Sequence, residues 1–198
     1  MAYHEKQKPF KPKIDDVIGD LLDGENLNRA LEFIAYLKTN NMSSRWANTN
    51  TWKVVSKGIT VCYIKAGVER DTGTACYVKF TESGNSSKGA WVIIPHITSF
   101  EKSNPPIPRA TNFDNSNGYE EIMANDEQFN MILSKVRLCS NCGNKKKCAP
   151  GITVTIWGKE LTNRCKFVAI PFLDPSHDEL ECVKTLINIF RDIGQPVS

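Results

Sequence analysis

The strongest constraint on the fold is a change of hydrophobic period near residue 50. Before it, apolar residues recur at helical spacing. After it come four short runs rich in β-branched and aromatic residues: 51–56 (TWKVVS), 59–65 (ITVCYIK), 74–81 (TACYVKFT) and 90–95 (AWVIIP). The first two are separated only by Lys57-Gly58, a pair suited to a tight hairpin turn. Neighbouring strands joined by short polar loops form an antiparallel meander. The helical segments around this block follow from spacing. Ile14, Val17, Ile18, Leu21 and Leu22 predict a short helix ending before Gly24. A second helix, capped by Asn26, should bury Leu27, Ala30, Leu31, Ile34 and Leu37 and stop near Asn40-Asn41.

From His96 to Gly118 the chain becomes irregular, and Pro105, Pro106 and Pro108 exclude a helix or a central strand there. Helix resumes after Asn125, which with Gln128 suits a capping box, and Phe129, Ile132, Leu133 and Val136 supply its apolar face. Two further strands are expected at 152–157 (ITVTIW) and 164–171 (RCKFVAIP). A final helix starts at Ser176, whose partner three residues on is Glu179. Its inward face is Leu180, Val183, Leu186, Ile187, Phe190 and Ile193, and Gly194 stops it. Segregated strands and helices predict an α+β fold: an antiparallel sheet of about six strands, helices packed on one face, and a cysteine-rich metal-binding loop. Residues 1–13 read as a flexible basic arm, and 14–198 as a single domain divisible into halves 14–100 and 119–198 joined by the Pro-rich loop. With four Trp, five Tyr and nine Phe the chain carries enough apolar surface for a real core. No apolar run approaches the ~18 residues that a membrane helix needs.

The chemistry concentrates in one stretch. Cys139-Ser-Asn-Cys142-Gly143, then Cys148-Ala-Pro150-Gly151, then Cys165 give the spacing C-x2-C-x5-C-x16-C. Two thiolates separated by two residues can approach one ion from the same side, and the glycine after them permits the turn. The N-terminal MAYHEKQKPFKPK has no apolar core, so no secretory leader is expected. Seven cysteines without such a leader read as reduced thiols in the cytoplasm, and an odd number cannot all pair. The expected cofactor is therefore a structural zinc on Cys139, Cys142, Cys148 and Cys165; an iron–sulfur cluster is the alternative. Four thiolates and Zn²⁺ carry a charge of about −2. Between Lys135 and Lys166 eight basic residues face one acid, Glu160. Those cations either balance the metal site or, through Lys145, Lys146 and Lys147, contact nucleic-acid phosphates. Cys62, Cys76 and Cys182 lie in apolar segments and read as core.

Trp52, Tyr63, Tyr77 and Trp91 fall on successive predicted strands. They read as core, or, joined by Arg45, Trp46 and His96, as the wall of a groove for a small molecule or peptide. No phosphate-binding glycine loop, H-E-x-x-H or G-x-S-x-G motif is present, so a binding protein is expected rather than an enzyme. An enzyme of unknown reaction using His96 as ligand or general base is the remaining alternative.

The stretch that runs from the helix at Leu27 through Trp52-Lys53, Lys57-Gly58, Cys62-Tyr63 and Cys76-Tyr77-Val78 resembles uncharacterised bacterial YdhG-like domains. The resemblance covers residues 26–95 and implies a small bacterial α+β domain with helices against a curved sheet. The cysteine cluster departs from that pattern, and no functional residue carries over.

Overall fold

The computed structural model describes residues 10–68, 89–95, 125–139, 151–156, 159–165 and 170–193. These residues run α1 (Ile14–Leu21), α2 (Gly24–Thr39), β1 (Ser43–Asn48), β2 (Thr51–Ser56), β3 (Ile59–Val68), β4 (Ala90–Pro95), α3 (Asp126–Lys135), β5 (Ile152–Ile156), β6 (Lys159–Arg164), β7 (Phe172–Leu173) and α4 (His177–Ile193). The α+β class holds. The strands do not form one sheet of six, however. They form a five-stranded sheet in the order β1-β2-β3-β4-β7 and a separate β5-β6 pair.

The β2–β3 hairpin forms where Lys57 and Gly58 both take positive φ, 47° and 84°. That is the left-handed geometry of a two-residue turn matched to strand twist. Pairing is antiparallel throughout, and one row of partners, Trp46–Trp52–Ile64–Ile93–Phe172, crosses all five strands. Side chains alternate between faces along a strand. Val54, Cys62, Ala66 and Trp91 therefore share the face of that row, and together they form one buried cluster with the apolar stripes of the helices. Helix α4 packs on β3 and β4, α1 on β1 and β3, and α3 on α4. Phe33 of α2 sits with its ring centroid 6.3 Å from that of Trp91, and Tyr36 Oη donates to Asn188 Oδ1 of α4 at 3.0 Å.

The helix starts show which sequence signals had structural force. In α4 the reciprocal box is complete: Glu179 N donates to Ser176 Oγ (3.2 Å) and Ser176 N to Glu179 Oε2 (3.0 Å). In α3, Gln128 N donates to Asn125 Oδ1 at 3.1 Å. Asn26 is not a cap. Helix α2 begins three residues earlier, after Asp23, and Asn26 turns inward, where its amide donates to Asp174 Oδ1 at 2.9 Å. Leu31 is also displaced from its expected place and is exposed, because Ala30, Phe33, Ile34 and Leu37 define the buried stripe and residue 31 lies off it.

Strand β1 is an addition to the expected elements; of the anticipated strand 164–171, Cys165, Ile170 and Pro171 are not in a strand, and residues 166–169 lie outside the described residues. Arg164 is instead the last residue of β6, which hairpins directly onto β5 through the pair Ile156–Lys159. The expected strand 74–81 and the Pro-rich loop lie outside the described residues.

Asp174 closes the far edge of the sheet. Its Oδ1 accepts from Asn26 and from the Trp91 backbone N–H (3.0 Å), and its own N–H donates to Trp91 O (2.8 Å). Its φ is 44°, a conformation that aspartate tolerates better than alanine. Asp174→Ala should therefore lower stability by about 2 kcal/mol, by stranding the Trp91 N–H and straining the turn. Asp174→Asn, which keeps an acceptor oxygen, should lose less. Urea midpoints of the two variants check the ranking.

Candidate functional site

Chain geometry brings two of the four expected metal ligands onto one surface. Beside β6, the segment after α3 makes a short antiparallel ribbon. Leu138 bridges Arg164, Cys139 N donates to Asn163 O (2.8 Å), and Cys165 N donates to Arg137 O (2.9 Å). Alternation about the Leu138–Arg164 bridge puts Cys139 and Cys165 on the same side of this ribbon as diagonal neighbours. Such diagonals lie within about 7–8 Å, and closer between Cβ atoms. Cys165 is buried, yet it does not belong to the main apolar cluster. Gly151 presses on the same spot: a Cβ placed there would lie 2.7 Å from Cys139 Cβ and 2.5 Å from Asn163 Oδ1. Only glycine fits. Cys142, Cys148, Lys145, Lys146, Lys147 and His96 lie outside the described residues.

The other thiols have no comparable setting. Cys62 and Cys182 are fully buried in the core. Burial pushes the Cys62 thiol far up and the Cys182 thiol up to about 12, so both stay protonated and unreactive. Among the described residues one other group has metal-ligand chemistry, the exposed Glu32, His177 and Glu181. A cation already sits there: Lys184 Nζ is 2.8 Å from Glu32 Oε1 and 2.6 Å from Glu181 Oε1. The hydrogen bond from Lys184 holds the Glu32 carboxyl below its usual range.

The register divides the expected aromatic groove between two faces. Trp46, Trp52 and Trp91 point to the helices; Trp52 and Trp91 are fully buried there, and Trp52 Nε1 donates to Pro12 O at 2.9 Å. Arg45 and Tyr63 stand on the opposite, outer face. Trp52 pairs with Ile64, so Tyr63 is one residue out of phase with it.

The outer face has a composition of its own. Arg45, Lys53 and Tyr63 form a row across β1, β2 and β3, and Lys65 stands two residues beyond Tyr63. No acidic side chain occurs in β1, β2, β3, β4 or β7. Lys65 is half-buried, and burial, reinforced by the charge of Arg137, lowers its pKa from the usual lysine value. Arg137 is the ribbon residue that precedes Leu138. Its Nε and Nη2 are buried without a hydrogen-bond partner, as is Arg164 Nε. Arg164 Nη1 donates to Val136 O at 2.6 Å.

Lys53 and Lys65 were not singled out from the sequence. Their signal is alternation: both fall on the polar phase of strands whose other phase is apolar.

Among the described residues no helix is long and apolar enough to cross a membrane. Compared with known proteins, the chain matches no family model, no curated protein and no solved structure.

Proposed function

We propose that the chain is a non-enzymatic binding protein of a reducing compartment, the cytoplasm, whose ribbon is stapled by one structural zinc on Cys139, Cys142, Cys148 and Cys165. The observation that carries this reading is the ribbon itself. Pairing of Cys139 with Asn163 and of Arg137 with Cys165 supports convergence of two cysteines far apart in sequence. Cys142 is three residues from Cys139, and Cys148 is three from Gly151, which packs on Cys139. Three residues of extended chain reach about 10 Å, so connectivity permits all four sulfurs to meet one ion. Four thiolates suit tetrahedral zinc and leave no open position, so the metal would stabilise the protein and catalyse nothing. Elemental analysis of the purified protein should give about one zinc per chain in colourless solution. Brown, iron-containing protein would favour a cluster instead, and protein without metal would overturn the reading.

For the bound partner, the outer face favours nucleic acid over the small molecule or peptide of an aromatic groove. Trp52 and Trp91 are committed to the core, whereas Arg45, Lys53 and Lys65 surround Tyr63 on strands that themselves carry no acidic side chain. Cations that track a backbone, with an aromatic ring on which a base stacks, are the requirements of a single-stranded nucleic-acid surface. Lys145, Lys146 and Lys147 would extend it. If four phosphates are neutralised, affinity for a single-stranded oligonucleotide should fall about 50-fold between 50 and 200 mM salt. Fluorescence anisotropy measures this, and affinity indifferent to salt would dismiss the nucleic-acid reading.

A further inference from the structure

We propose that Glu32 of α2, with His177 and Glu181 of α4, forms a metal site for one divalent cation of the zinc, nickel or copper class. The site shares no residue with the cysteine ribbon and does not rest on the zinc reading given above.

Two helices supply the geometry. His177 and Glu181 are four residues apart on α4, so they share one helix face. Glu32 reaches them from α2, and the ligand atoms of the three residues all lie within 4.8 Å of one another. Donors bound to one ion at about 2.0–2.2 Å stand roughly 3–4 Å apart. His177 Nδ1 and Glu32 Oε2, at 4.0 Å, already meet that spacing. The three side chains are open to solvent, at 70 % exposure for His177, 50 % for Glu181 and 44 % for Glu32. A hydrated ion can therefore reach them, and their unrestrained rotamers can close the remaining gap.

Lys184 does not exhaust the donors. It is the buried member of the group, 13 % exposed, and its Nζ holds Oε1 of Glu32 and Oε1 of Glu181. Oε2 of each carboxylate is left for a metal. Two carboxylates and one ammonium also leave one negative charge unbalanced, which draws a cation. The lysine braces the carboxylates. Its Nζ lies over the Tyr36 ring, 5.3 Å from the centroid, and Tyr36 Oη donates to Asn188 Oδ1 (3.0 Å) and to Lys184 O (3.4 Å). The α2–α4 seam is thus fixed before an ion arrives, which lowers the ordering cost of binding. One imidazole nitrogen and two carboxylate oxygens suit a transition metal rather than calcium or magnesium, which take shells of oxygen. Water would complete the coordination.

The test titrates nickel into the untagged full chain as purified. Calorimetry should give saturable binding of one nickel per chain at this site. In the amide NMR spectrum, paramagnetic nickel should first broaden Glu32 and residues 177–181 and leave Cys139 and Cys165 sharp. His177→Gln removes the nitrogen ligand and should weaken nickel at least tenfold. Glu32→Gln and Glu181→Gln should each weaken it by a comparable factor. Asp178→Asn removes an equal charge from the same helix turn but no ligand, and should change affinity less than twofold. All four positions are exposed, so metal-free melting temperatures should stay near wild type. Should one variant fail to fold, the wild-type broadening pattern and the other variants still decide. Asp178→Asn that weakens nickel as much as His177→Gln does would reduce the effect to diffuse attraction and overturn the site, as would wild-type broadening centred anywhere else. The cysteine reading fails separately. Nickel held by thiolates gives intense sulfur-to-metal absorption and broadens Cys139 and Cys165, whereas the nitrogen and oxygen site stays pale. Protein purified without zinc that shows the α2–α4 broadening removes the cysteine staple alone. Zinc-loaded protein that lacks the broadening removes this site alone.

Discussion

Trp52→Ala is expected to cost about 3–5 kcal/mol of folding stability, a third or more of what a domain of this size commands. Trp52 is the second member of the row of five that spans the sheet, and it is 0 % exposed. Its ring lies among the residues where the sheet meets the helices, so truncation opens a cavity that flanking strands cannot close without breaking register. A second loss is superimposed. The indole N–H holds the carbonyl of Pro12, which ties the segment before α1 to β2. Trp52→Phe separates the two contributions: it keeps most of the volume and gives up the hydrogen bond, so about 1 kcal/mol should go with it, together with part of the ring's packing. The melting temperature of Trp52→Ala should fall by roughly 6–20 °C, given 2–4 °C per kcal/mol at this chain length. A fall of under 2 °C would show that the indole is not the keystone of this core.

Cys165→Ser should reduce bound zinc from about one per chain to near zero, because a serine hydroxyl does not deprotonate to replace a thiolate ligand. Structural zinc sites return large binding free energies, about 10–16 kcal/mol in small peptides, and the part of that energy coupled to folding disappears with the ion. The loss should be local. Amide exchange should accelerate at Cys139 and Cys165, whose N–H groups make the ribbon bonds, and much less in β2 and β3. A chelator applied to wild type should reproduce the same pattern. Cys182→Ala provides the contrast: it opens a cavity under α4 and lowers stability, but full zinc content should remain. Cys165→Ser protein that retains its zinc would remove Cys165 from the ligand set.

The legible parts of the fold are those where local chemistry and tertiary packing agree. Lys57-Gly58 makes a turn wherever two β-rich runs flank it, and Ser176 with Glu179 satisfies donors that any helix start leaves open. Strand β1 was hidden because SSRWAN is polar. It pairs at an edge, and only Ser44 and Trp46 turn inward to any degree. Strand β6 was hidden for the same reason, as Leu161 is its one buried residue, while the more apolar FVAIP downstream drew the strand assignment toward itself. The candidate site shows a different limit. Cysteine spacing is a local property and can be read directly. Which cysteines share a face depends on the pairing of residues 137–139 with 163–165, which no local spacing encodes. The aromatic groove failed on parity: Trp52 and Tyr63 sit on neighbouring strands, but a one-residue phase sends their rings to opposite sides.

The edge position of β1 has a consequence for self-association. One side of β1 pairs with β2, and among the described residues no strand covers the other. An open ladder of this kind invites a strand from a neighbouring molecule, the first step toward aggregation. Here the invitation is weak. A bulge between Trp46 and Asn48 breaks the regular spacing of backbone groups, and the charged, exposed Arg45 repels a like copy. The polarity that concealed this strand also keeps it from templating a fibril.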